Sequence, residues 1–209
     1  MAEGASHKTV ERSVDSLQRI YAFVVALAVA RAVEAAFVSN GDLVWEPERM
    51  PVLVAFLFTV VPFFHGMNRH LDRCYVERRD EHVQGALLAD FAVFFLEAGM
   101  LFAFATSIRS GLEGFLILAA LLALDTLWGM VSHWIHYRDE AASSRTWAAV
   151  NAVFVVLFLL VYFLEGYAES AKPWILALLA VTRTVVDYKV SWAFYFPPMR
   201  PAPATGTLA

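Results

Sequence analysis

The sequence predicts an all-α polytopic integral membrane protein: a bundle of six transmembrane helices with both termini on the cytosolic side (N-in/C-in). Three observations carry that prediction. First, the 209 residues are 59% hydrophobic and 17% charged, whereas a soluble domain is about 45–50% apolar and about 25% charged. Second, the apolar residues fall in six long runs instead of alternating with polar ones. Third, the lysines and arginines between the runs crowd onto one side.

Composition also excludes. A net charge of −4 gives no reason to expect a nucleic-acid partner. The single cysteine, Cys74, rules out an intramolecular disulfide and a multi-cysteine metal site. No polar stretch is long enough to build a soluble core. The chain has no Gly-x-Ser-x-Gly nucleophile, no phosphate-cradling glycine loop and no Cys-x-x-Cys.

Residues 1–16 form a cytosolic N-terminal segment, polar and charged. It lacks the apolar centre of a signal peptide, and the run after it contains Arg31 and Glu34, so it is expected to stay attached. Lys8, Glu11, Arg12, Asp15 and Arg19 recur at i,i+3/i+4 spacing. That suits a short helix on the membrane surface; a frayed tail is the alternative.

The membrane domain spans 17–196. Its six runs are 17–38, 51–67, 85–106, 112–135, 147–167 and 174–196. Each is close to the 17–25 residues that cross about 30 Å of hydrocarbon at about 1.5 Å per residue. Breakers punctuate the links: Ser39-Asn40-Gly41 with Pro47, Ser110-Gly111, and Pro173 at the start of the sixth run. Short links should make successive helices antiparallel neighbours. Pro62 should kink helix two and free the carbonyl of Phe58, four residues back. Gly66, Gly85, Gly99 and Gly129 suit close helix approach.

Orientation follows from the cations. With the N-terminus inside, the inner segments hold eleven: Lys8, Arg12, Arg19, Arg69, Arg73, Arg78, Arg79, Arg138, Arg145, Lys189 and Arg200. The outer segments hold three: Arg49, Arg109 and Lys172. Trp45 outside, and Trp134, Tyr137, Trp192 and Tyr195 inside, fit interfacial belts. Residues 197–209, rich in Pro, Ala and Thr, are expected to form a disordered cytosolic tail. The expected setting is the inner (cytoplasmic) membrane.

Ionisable groups inside the runs are the candidate functional residues, because each costs about 2.5–3.5 kcal/mol at mid-bilayer on insertion scales. One set lies near the midplane or above it: Arg31, Glu34, Glu97, Asp125 and Arg183. A second lies toward the cytosol: His65, Asn68, Asp90, His133, His136, Asn151 and Asp187. Helix geometry aligns members of each set. His133 and His136 share a face, Asp90 and Glu97 are i,i+7, and Arg183 and Asp187 are i,i+4. There is also a faint internal echo: His65, His70, Asp72 and Asp90 in helices two and three, against His133, His136, Asp139 and Asn151 in helices four and five.

These residues point to an ion pathway or polar cavity, and so to a small ion or proton channel or transporter, completed if need be as a homo-oligomer in the lipid bilayer. Two other readings remain open. His65, His133 and His136 could hold a transition metal, or His65 opposite either of the others a b-type haem, in a membrane oxidoreductase or other enzyme. Alternatively, the polar groups fix helix register in a structural membrane subunit.

Overall fold

The computed structural model describes residues 2–77, 83–136, 143–165 and 170–197. The mixed-charge loop at Arg78, Arg79, Asp80 and Glu81 lies outside the described residues. So do Tyr137, Arg138, Asp139 and the tail at 198–209.

The described chain is all-helical apart from one tiny hairpin. Its helices are α1 (Ala2–Phe37), α2 (Met50–Leu71), α3 (Val83–Thr106), α4 (Glu113–His136), α5 (Ser143–Phe163), α6 (Lys172–Val190) and the short α7 (Trp192–Tyr195). Five stretches are long and apolar enough to cross a membrane: Lys8–Phe37, Pro47–Glu77, Gly85–Ser110, Glu113–His136 and Arg145–Phe163. The sixth expected span forms a helix too, but α6 carries Lys172, Arg183, Asp187 and Lys189 and is too charged to join those five.

Three boundaries differ from the sequence expectation. Helix α1 begins at Ala2 and runs unbroken through the N-terminal segment, with Asp15 and Arg19 paired at 3.2 Å. Helix two does not stop at Met67. It continues to Leu71 and then through a widened π turn, Asp72–Glu77. The last helix breaks at Ser191, which leaves the helical region (φ −104°, ψ 17°) and starts α7.

The link after α1 is a two-residue hairpin. Val38 pairs with Leu43 and Ser39 with Asp42. Asn40 and Gly41 turn at φ 52° and 91°, the left-handed pair that a tight hairpin turn requires and Asn-Gly adopts most readily.

The six long helices form a closed ring in the order α1, α2, α6, α5, α4, α3. Most successive helices are neighbours, as short links require. The exception is α2 and α3, which touch only lightly because α1 lies between them. An alanine face makes this possible: Ala28, Ala32, Ala35 and Ala36 of α1 are all fully buried. Small side chains at i,i+3/i+4 spacing let backbones approach closely. Gly129 does the same for α4 and α5, since a Cβ there would meet the Trp147 ring at 2.7 Å. Gly85 and Gly99 face open space, so the close-approach role does not extend to them.

Pro62 behaves as its chemistry dictates. The carbonyl it frees, on Phe58, accepts a hydrogen bond from Thr184 Oγ1 of α6 at 2.6 Å. The bond replaces the missing helical donor and ties α2 to α6. The three cations on the sparsely charged side also have local work. Arg49 donates to the carbonyl of Ala35, Arg109 to Val38, and Lys172 to Tyr162. Ala35 and Tyr162 lie in the last turns of α1 and α5, where cations are favoured, while Val38 opens the hairpin.

Large apolar side chains remain exposed around the outside of the ring. Phe23, Leu88, Leu127, Leu160 and Leu178 are each more than 60% exposed. The buried polar residues lie on the inner faces.

Candidate functional site

Two polar centres occupy the interior of the ring. The first is built around Asp125 of α4, which is 3% exposed. Asn151 of α5 donates from Nδ2 to Asp125 Oδ2 at 2.7 Å. The same amide accepts at Oδ1 from Arg183 Nε and Nη2 of α6, at 2.9 and 2.7 Å. Asn151 therefore uses both ends of its side chain as a bridge between anion and cation. The direct ion-pair distances are longer: Arg183 Nη2 lies 3.9 Å from Asp125 and 3.8 Å from Asp187. The guanidinium also stacks over the Phe63 ring, 5.4 Å from its centre.

Asp187 is held from a second direction. Tyr195 Oη donates to it at 2.9 Å. In one straight helix these two residues would be about 12 Å apart along the axis. The break at Ser191 folds α7 back and makes the contact possible. Arg69 secures that fold by donating from Nε to the Phe194 carbonyl at 2.9 Å, while its guanidinium pairs with Glu77 at 2.5 Å.

Glu97 of α3 completes this centre. It is 1% exposed, and it lines the same cavity as Asp125. Between these groups lies a cavity of about 70 Å³, walled mainly by apolar and aromatic side chains such as Phe63, Met67 and Trp147. Among the described residues, four buried polar atoms on its lining have no protein partner: Glu97 Oε1, Trp128 Nε1, Ser132 Oγ and Arg183 Nη1. Buried polar groups are almost always hydrogen-bonded, so four in one cavity mark a place for water or a polar ligand. At about 10–15 Å³ per water, the volume admits several.

The second centre surrounds Asp90 of α3, which is fully buried. His70 Nε2 of α2 lies 3.0 Å from Asp90 Oδ2, and His136 Nε2 of α4 lies 3.4 Å from the same oxygen. Tyr75, in the π turn, donates its hydroxyl to that oxygen as well. Cys74 Sγ lies 3.9 Å from both ring nitrogens of His70.

The structure thus brings together Glu97, Asp125, Asn151, Arg183 and Asp187 in one centre, and Asp90 and His136 in the other. It does not bring together His65, His133 and His136. His65 packs among Tyr188, Tyr195 and Phe196, with Nδ1 3.2 Å from the Tyr188 hydroxyl. His133 accepts from Arg145 Nε at 3.0 Å. Asn68 spends its amide on the Phe64 carbonyl one turn back. Arg31 and Glu34 pair with each other at 2.8 Å on the partly exposed surface of α1, away from both centres.

Sequence reasoning gave His70, Cys74, Tyr75 and Tyr195 no site role. Ending helix two at Met67 placed the first three in a loop. The i,i+4 spacing of His70 and Cys74 was the available signal, because it puts both on one face once the helix continues. Tyr195 carried no such signal, since its contact depends on the break at Ser191. Compared with protein-family models, with curated proteins and with solved structures, the chain matches none.

Proposed function

We propose that the chain is a multi-pass protein of the cytoplasmic membrane, with six crossing helices and both termini in the cytosol, and that it passes protons or small cations through the Asp125 centre. The observation that carries this reading is a charge imbalance. Asp125, Asp187 and Glu97 are all at most 3% exposed, and Arg183 is the one guanidinium paired with this group among the described residues. A surplus carboxylate in an apolar interior is costly unless something neutralises it. A proton or a cation in the adjoining cavity does so, and a group that must hold such an ion inside a bundle is placed to hand it on.

Several features support the membrane part. Five helices have the required length and apolarity, and the outside of the ring is apolar, as lipid contact demands. The sixth helix turns its charges inward: Arg183 and Asp187 are buried while Leu178, Val185 and Trp174 are exposed. Eleven inner cations against three outer ones supports the orientation.

The test is flux in liposomes containing the purified protein and a trapped pH dye, under an imposed pH gradient and, separately, a diffusion potential. The expected result is dissipation of the gradient by the wild type and a large loss of flux in Asp125→Asn and Glu97→Gln, both still eluting as folded protein. Absence of flux under both gradients, or flux unchanged in both variants, overturns the proposal.

A further inference from the structure

We propose that His70, Cys74 and His136 bind one transition-metal ion of the zinc class, oriented by Asp90. The trio adjoins the cavity of the Asp125 centre, which His70 also lines, but the inference does not depend on ion movement there.

The ligand atoms already converge. One atom from each of the three residues lies within 4.8 Å of the others, and all three side chains are buried or nearly so. A tetrahedral zinc ion with bonds of about 2.0–2.3 Å needs its ligands about 3.3–3.6 Å apart. Side-chain movements of about 1 Å or less close the difference. The donor set is chemically selective. Two imidazoles and one thiolate suit zinc, cobalt and copper ions and do not suit magnesium or calcium.

Backbone and surroundings support the same assignment. Cys74 stands one turn after His70, inside the π turn Asp72–Glu77. Such widened turns recur at functional sites because they re-aim side chains. Here the turn directs Cys74 and Tyr75 inward, where both are at most 3% exposed.

Asp90 supplies the outer contact that metal-ligating histidines usually have. It accepts from one histidine and lies beside the other, which orients both rings. Its second oxygen, Oδ1, is buried with no partner among the described residues. The carboxylate therefore has an unused acceptor next to the three ligands.

The experiment uses full-length protein in detergent, stripped with a chelator and titrated with Co2+, then with Zn2+ as competitor. About one Co2+ should bind per chain in tetrahedral coordination, giving a near-ultraviolet thiolate-to-metal band, and Zn2+ should displace it. Cys74→Ser should abolish that band. His136→Asn should weaken binding strongly, and Asp90→Asn should weaken it by ~10–100-fold, the usual effect of removing an outer-shell partner. His65→Phe, which removes a histidine outside the trio, should leave binding unchanged. Should Cys74→Ser fail to fold, reaction of Cys74 with a thiol reagent in the wild type decides instead, and Zn2+ should protect it. Non-saturable binding, a Co2+ spectrum with no thiolate band, or a Cys74 that reacts equally with and without Zn2+ overturns the proposal. Failure here leaves the flux result standing, and loss of flux leaves this one standing.

Discussion

Asp90 and Asp125 are alike in burial and opposite in company. Both are buried aspartates on long apolar helices, each meeting side chains from other helices. Asp90 is surrounded by imidazoles, a phenol and a thiol, and among the described residues no arginine pairs with it. Asp125 is surrounded by an amide, a guanidinium and another carboxyl. The difference is one of compensation. At Asp90 one carboxylate is matched by several groups that can donate. At Asp125 three carboxyl groups share one fixed cation, and a cavity lies beside them. The first arrangement suits holding something in place, the second suits exchanging it.

The sharpest way to break this comparison is Arg183→Met. It removes the cation that Asp125, Asp187 and Asn151 share and should cost ~3–5 kcal/mol, the range for stripping one partner from a buried pair. The measurement is the unfolding midpoint of detergent-solubilised protein, and adding Asp187→Asn to the same chain should recover part of the loss. A fall no larger than that of an Asp90 variant would erase the distinction between the centres.

Asp90→Asn comes next. It keeps the shape and replaces a charged acceptor with an amide, so the expected loss is ~1.5–3 kcal/mol. Combined with Arg183→Met, the two losses should add to within ~0.5 kcal/mol, as they do for sites that share no partner. Strong non-additivity would show that the centres form one network.

The smallest effect belongs to Thr184→Val, which removes the hydroxyl bonded to the Phe58 carbonyl. About 1 kcal/mol should be lost, with metal binding at the Asp90 centre unchanged. A loss near zero would show that the carbonyl freed by Pro62 needs no protein donor.

Much of the frame was legible from residues alone. Apolar run length located six long helices, since about 20 apolar residues in a row leave few other folds. Pro62 and Phe58 could be read because proline's missing donor has a fixed offset. The alignment of Arg183 with Asp187 could be read because helix geometry is regular. Less visible was where helix two ends. Polarity rises at His65, and a rise in polarity ordinarily marks exit from the apolar phase. The helix nevertheless continues to Leu71, because His70, Cys74 and Tyr75 find polar partners inside the ring and need no water. The place of α1 between α2 and α3 was also hidden, since its alanines read as merely apolar until their common face is seen packed.

The sequence by itself determined an all-helical chain built on long apolar helices, six by run length, of which five are long and apolar enough to cross a membrane, and the kink partner of Pro62. These follow from composition, period and fixed covalent geometry, which act within one helix. Only the tertiary structure decided which helices are neighbours, that Asn151 bridges Arg183 to Asp125, that Tyr195 folds back on Asp187, and that His70, Cys74 and His136 meet around Asp90. The Tyr195–Asp187, His70–Asp90, Asn151–Asp125 and Arg183–Asn151 contacts join residues from 8 to 32 positions apart. No local rule specifies them, because they depend on how six helices rotate and close into one ring.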